Sequence, residues 1–290
     1  MFATDFDYYR AGSVSEAGQL LQAHPGAKLL AGGHSLIPLL KLRLAAPATV
    51  IDIGRIGELK GITVSGDTLK IGSLTTHAEL AASAAVRQHA AALAEAAGQI
   101  GDPAVRNRGT VGGNVAHADP ASDLPTVLAA LGATFGVVGA GGVRTIDASE
   151  FFQGIMTTAL GENDLLTFIE VPVAHTGDGS AYAKFSHPAS RYAVIGVAAS
   201  VSISAGSCTG AAIAVGGLVP TPCRAASVEQ ALTGQVLTPD VIATASQAVS
   251  NDVGDDPLGD IFASGEYRKA VAHVYVGRAV AAAAERAAGA

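Results

Sequence analysis

The chain has 290 residues, a formal net charge of −7, and 49% hydrophobic against 15% charged residues. That balance excludes a nucleic-acid surface, which needs clustered Lys and Arg; with 5% aromatics and no Trp, a base-stacking platform is excluded too. The length allows one to three domains and a large core.

Only two cysteines occur, Cys208 and Cys223, neither in a CxxC pattern. They cannot unaided ligate an iron–sulfur cluster or a structural zinc, and are expected to be reduced core residues. Met1 to Asp7 has no basic or apolar leader character, so no signal peptide is expected. The most apolar stretch, Tyr192 to Ser204, is too short to span a bilayer. A cytoplasmic location follows as the expectation.

In chain order, Ser13 and Glu16 have capping-box spacing and open a helix bearing Val14, Ala17, Leu20 and Leu21, ended by Pro25-Gly26. Lys28 to Ala31 is a short strand that runs into Gly32-Gly33-His34-Ser35. Ser35 can cap a helix through Leu36, Leu39 and Leu40, and Thr49 to Ile53 reads as a strand. Gly61–Val64 and Thr68–Ile71 flank Ser65-Gly66-Asp67, a hairpin signal. Thr76 and Glu79 form a second capping box, followed by an Ala-rich helical region from Ala84 to Ala97. After Gly109-Thr110-Val111-Gly112-Gly113-Asn114, Asp123 can cap a helix through Val127, Leu128 and Leu131. Strands are expected at 133–138, 143–146 and 165–171, and a linker from Pro172 to Gly179. Beyond it the pattern gives strands at 181–185, 194–204 and 210–218, then helices from Ala225, from Pro239 and from Glu266 to Ala288. The chain thus reads as three α+β units, 1–58, 59–174 and 175–290.

The two glycine pairs are the candidate chemistry. Glycine allows positive φ and close backbone approach, and consecutive N–H groups can converge on an anion. Two such loops facing each other would clamp a diphosphate. The first loop is not GxGxxG; Asp52 lies about 20 residues on, as a dinucleotide-binding βαβ unit requires, but a second clamp loop is foreign to that design. Thr110 offers a hydroxyl and Asn114 an amide. Asp123 can accept from sugar or ribityl hydroxyls, cap its helix, or do both. His34 can bond phosphate, attach a flavin covalently, or be a plain loop residue. The other histidines show no metal-binding spacing. The stretch 251–256 lacks the EF-hand ligand order and reads as a solvated loop. No hydrolase motif appears, so any chemistry belongs to a bound cofactor.

Several segments, taken in order, carry a family resemblance: Leu30 to Pro38, Ile71 to Thr76, Val105 to Asn114, Asp119 to Asp123, and Asp164 to Pro172. The chain resembles the FAD-binding medium subunits of the molybdenum hydroxylases. Within that family it is most similar to the flavoprotein subunits of aerobic molybdenum–copper carbon monoxide dehydrogenases. The resemblance implies an FAD-binding fold of two α+β subdomains, of the PCMH or vanillyl-alcohol-oxidase-like type. A C-terminal α+β domain with a small antiparallel sheet follows it. It implies non-covalent FAD, with Leu30, Ala31, Gly32, Gly33, His34, Ser35, Leu36 and Ile37 and also Thr110, Val111, Gly112, Gly113 and Asn114 at the diphosphate. Ile100 would pack near the cofactor, Asp123 would bond the ribityl or sugar side, and Leu165 would meet the adenine end. Lys184 matches a lysine near the flavin, though it can equally be a solvated strand lysine. Tyr192 matches a tyrosine that shields one ring face, while Ser186 to Arg191 departs from the more basic stretch typical there.

The implied function is electron transfer within an oxidoreductase. A small [2Fe–2S] subunit supplies electrons, a large subunit carries molybdenum and copper and oxidises the substrate, and a quinone or another acceptor takes the electrons. The implied assembly is a dimer of heterotrimers, a heterohexamer, compatible with peripheral membrane association. The alternatives are a medium subunit serving a xanthine, aldehyde or N-heterocycle hydroxylase, and a free-standing flavin oxidase.

Overall fold

The computed structural model describes residues 2–289; Met1 and Ala290 lie outside the described residues. The first unit contains β1 (Asp7–Arg10), α1 (Val14–Ala23), β2 (Lys28–Leu30), α2 (Leu36–Lys41) and β3 (Thr49–Asp52). Its strands form a parallel sheet in the order β1-β3-β2. Parallel neighbours need crossover connections, and α1 and α2 supply them. The Ser13 hydroxyl accepts from the Glu16 N–H at 3.1 Å, as its spacing predicts. The Glu16 carboxylate passes over Ser13 and accepts from the Gly12 N–H at 2.7 Å, so only half of the expected capping box forms.

The second unit begins with the hairpin β4 (Ile62–Ser65) and β5 (Thr68–Gly72), paired Ile62 to Ile71 as the sequence indicates. Then come α3 (His77–Ala82), α4 (Ala84–His89), α5 (Ala91–Gln99), α6 (Pro103–Arg106), α7 (Val111–His117) and α8 (Asp123–Ala130). β6 (Thr134–Gly139), β7 (Gly142–Asp147), α9 (Ala148–Phe151), β8 (Phe152–Gly154), β9 (Thr157–Thr158) and β10 (Leu165–Pro172) complete it. The sheet β4-β5-β10-β6-β7 is antiparallel. Thr76 and Glu79 cap α3 reciprocally. The Ala-rich region is two helices, because Ala90 leaves helical geometry at φ −148° and ψ 58°.

The third unit contains β11 (Asp178–Ser186), β12 (Ala193–Ser204), β13 (Ser207–Gly216), β14 (Cys223–Arg224), α10 (Ala226–Leu232), α11 (Pro239–Ser246) and α12 (Gly265–Gly289). Its four strands form an antiparallel sheet in sequence order. Only residues 173–177 separate β10 from β11, fewer than the expected linker. The long apolar run is β12, covered on both faces. Val197, Ala199 and Val201 pack with α10 to α12, whereas Ala198, with Ala214 of β13 and Tyr182 of β11, joins the core built on α5 and α8. Successive strand residues point to opposite faces, so a doubly covered strand is apolar throughout. The order of layers is five-stranded sheet, helices, four-stranded sheet, helices. Both cysteines are free, with Cys208 buried.

Arg268 anchors α12 to this framework. It is 4% exposed; its Nη1 donates to the Gly217 carbonyl at 2.7 Å, its Nε to the Ala263 carbonyl at 3.2 Å, and its Nη2 pairs with Asp260 at 2.6 Å. Arg268→Leu would leave buried carbonyls without donors. We expect a stability loss of about 2–4 kcal/mol, read as the urea midpoint of the full chain. An unchanged midpoint would show that water replaces the guanidinium without loss.

Candidate functional site: a cleft between two glycine-bearing walls

A cleft of about 740 Å³ runs between the first two units and is flanked by the third. One wall is the segment after β2. Gly33 sits there at φ +77°, a region that penalises side chains, with Leu30 and Ile37 packed beneath it. The backbone N–H groups of Gly32, Gly33, His34 and Ser35 donate to no protein acceptor among the described residues. They form a run of free donors at the start of α2, the arrangement that favours an anion. Ser35 makes no side-chain cap to α2, contrary to expectation, so its hydroxyl also stays free. His34 is exposed beside it.

The opposite wall differs from its expected form. Gly112 and Gly113 are the first turn of α7, not a free loop. The Val111 N–H donates to the Thr75 carbonyl at 2.9 Å, Gly112 N–H to the Ser73 carbonyl at 2.8 Å, and Gly113 N–H to the Thr110 hydroxyl at 3.2 Å. These amides are therefore spent inside the protein, and only the first loop offers a nest. Gly112 is required for packing: a Cβ there would fall 2.5 Å from Ser73 Cβ. What this wall shows the cleft is the Thr110 hydroxyl proton and the Asn114 NH2 group, since Asn114 Oδ1 already accepts from the Ser122 hydroxyl at 2.7 Å. The two walls touch where Gly32 meets the Arg108 carbonyl and the Gly109 Cα, an approach that leaves no space for a Cβ on Gly32.

Asp123 does not cap α8. Ser122 occupies the cap position, and Asp123 is the first helical residue, 4% exposed. Its Oδ1 accepts from the Tyr182 hydroxyl at 2.5 Å and its Oδ2 from Lys184 Nζ at 2.8 Å. Tyr182 and Lys184 alternate along β11 and so share the face turned to α8. Burial pushes the Asp123 carboxyl up, while Lys184 and Tyr182 oppose the shift. Burial and Asp123 together push the Tyr182 hydroxyl well above its ordinary value. The Lys184 side chain is fully buried and does not line the cleft; it reaches the cleft only through Asp123. It is not a solvated strand lysine.

Ile100, at the end of α5, and Leu165, at the start of β10, line the cleft, as do Ala31 and Leu36. Val111 faces the core instead. Tyr192 stands at the cleft rim, its hydroxyl pushed up by burial and by Asp119 and Asp123. The unusual segment before it forms a turn in which the His187 Nδ1 accepts from the Ala189 and Ser190 N–H groups, each at 3.2 Å. Arg191 is left-handed at φ +61°, and Ser190 and Arg191 both reach the cleft. Sequence reasoning missed His77, Leu160 and Glu162 among the lining residues. His77 alone carried a signal, since it directly follows the Thr76 cap. No group of three or more metal-ligating side chains occurs among the described residues.

Residues 4–174 match the family model described as the FAD binding domain in molybdopterin dehydrogenase, and residues 180–283 match the CO dehydrogenase flavoprotein C-terminal domain. The chain belongs to the FAD-binding medium subunits of the molybdenum hydroxylases. It is similar to the carbon monoxide dehydrogenase medium chain of Hydrogenophaga pseudoflava, 39% identical over 98% of each chain. It is also similar to the glyceraldehyde dehydrogenase medium chain of Sulfolobus acidocaldarius, 37% identical over 94% of this chain and 96% of that one. Among solved structures, carbon monoxide dehydrogenase from Hydrogenophaga pseudoflava lacking the Mo-pyranopterin moiety matches with a TM-score of 0.94 and 40% identity, covering 99% of both chains. The medium subunit is an oxidoreductase component whose family cofactor is FAD. Its residues suit that dinucleotide: free amides at Gly32 to Ser35, a side-chain-free junction at Gly32, and a cleft of about 740 Å³ whose lining includes both Gly26 and Tyr192. No helix among the described residues is long and apolar enough to cross a membrane.

Proposed function

We propose that this chain is the FAD-carrying subunit of an aerobic carbon monoxide dehydrogenase. The run of free amides from Gly32 to Ser35, facing the cleft and opposed by Thr110 and Asn114, is the observation that carries the binding half of this proposal. In it, those amides hold the diphosphate, Asp123 receives a ribityl or sugar hydroxyl, Leu165 meets the adenine end, and Tyr192 covers one ring face. Bound FAD would supply two-electron storage between a one-electron donor and the acceptor. Asp123, held by Lys184 and Tyr182, keeps a fixed carboxylate at the cleft wall, and Ile100 excludes water from it.

The choice of carbon monoxide rests on the two-domain match and on the near-complete overlap with carbon monoxide dehydrogenase medium chains. In this proposal a [2Fe–2S] subunit delivers electrons, a molybdenum–copper subunit oxidises the substrate, and a quinone or another acceptor removes them. The assembly would be a heterohexamer in the cytoplasm, where the free thiols Cys208 and Cys223 stay reduced. The test is the metal content of the chain purified with its partners from its own cells. Molybdenum, copper and iron together are expected. Molybdenum and iron without copper would keep the electron-transfer role and move the substrate to an aldehyde or N-heterocycle; no metal would overturn the assembly.

A further inference from the structure

His77 is 3% exposed, yet its Nδ1 is buried with no hydrogen-bond partner among the described residues. Its backbone N–H donates to the Gly109 carbonyl at 3.0 Å, which fixes the ring beside the second wall. The Cδ2–Nε2 edge lies against Gly109; a Cβ there would fall 2.9 Å from Nε2. Gly109 in turn lies under Gly32, so the ring sits where the two walls meet, and both His77 and Gly109 line the cleft. Neutral imidazole carries one N–H. A proton on Nδ1 would be a buried donor with nothing to receive it, which is costly; a proton on Nε2 belongs to the edge that borders the cleft. Burial, His34 and Arg106 lower the ring's pKa to about 4, so the ring is uncharged at neutral pH.

We propose that His77 is a further cofactor-binding residue, a neutral Nε2–H donor to the diphosphate at the junction of the two walls. This rests on the proposed placement of FAD in the cleft. His77 thereby supplies from the second wall a donor that the occupied amides of Val111, Gly112 and Gly113 cannot.

The test is fluorescence titration of the full-length, flavin-stripped chain with FAD and with riboflavin, which lacks the diphosphate. His77→Phe is expected to weaken FAD binding by about tenfold or more, as for loss of a hydrogen bond to a charged group. Riboflavin affinity should be unchanged, and His77→Gln, which keeps an N–H donor, should recover part of the loss. Where His77→Phe does not fold, imidazole ¹⁵N spectra of the wild-type chain decide: an Nε2–H tautomer whose signal shifts on adding FAD supports the proposal. An Nδ1–H tautomer, or equal FAD affinity in wild type and His77→Phe, overturns it while leaving the cleft assignment standing. A wild-type chain that binds no FAD overturns both.

Discussion

Gly32→Val is expected to yield a purified chain with less than about a tenth of the wild-type flavin content, read as the flavin-to-protein absorbance ratio. The cause is local and steric. A Cβ on Gly32 collides with the Arg108 carbonyl and the Gly109 Cα, which are backbone atoms and cannot swing aside. The wall bearing the free amides must then part from the wall bearing Thr110 and Asn114, and the donors lose their common target. Interior packing is dense enough that such overpacking costs about 1–3 kcal/mol, or more where backbone is struck. Gly18→Ala is the matched control, because nothing lies within 4 Å of a Cβ at that helical position. It should keep full flavin and gain roughly 0.5–1 kcal/mol of stability. Full flavin in Gly32→Val would show that the cleft does not need the two walls in contact.

The second large effect is expected at Lys184. Lys184→Met removes the only cation among the described residues paired with the Asp123 carboxylate, whose side chain is 5% exposed, and leaves the Tyr182 hydroxyl as the one remaining partner in that pair of bonds. Stranding a buried charge costs about 3–5 kcal/mol. We expect an unfolding free energy lower by that order in urea titration, with weaker FAD retention because Asp123 lines the cleft. The double variant Asp123→Asn with Lys184→Met removes both charges and should recover most of the stability. A Lys184→Met loss below about 1 kcal/mol would mean that Asp123 is protonated in the native protein, or that water reaches it.

The periodic elements were legible in the sequence, and most of the site's location was too. The hairpin at Ile62 to Gly72, the capped start of α3, and α12 follow from patterns that act within a few residues. The failures have long-range causes. Asp123 has the residue type of a cap, but its partners lie 59 and 61 positions away on β11, where no local rule looks. The second glycine pair has the composition of an anion loop, yet the Gly112 amide is taken by the Ser73 carbonyl, brought alongside by the fold, and the Gly113 amide by the Thr110 hydroxyl. Lys184 was legible as a matching position but not as a buried one. The break at Ala90 carries neither Gly nor Pro, so nothing in the chain announces it. β1, four residues with two adjacent tyrosines, becomes a strand only because β3 offers an edge.

The sheet that is covered on both faces bears on how the protein emerges from the ribosome. The core around α5 and α8 closes only when Tyr182, Ala198 and Ala214 arrive on it. Glu95 on α5 also accepts from the Tyr182 N–H at 2.9 Å and pairs with Arg286 near the end of α12. A nascent chain extended as far as residue 174 therefore has its flavin-binding units present but one apolar face uncovered. At about 5–20 residues per second, that face waits roughly two to eight seconds for residue 214. During that interval the growing chain carries uncovered apolar surface and is prone to aggregation.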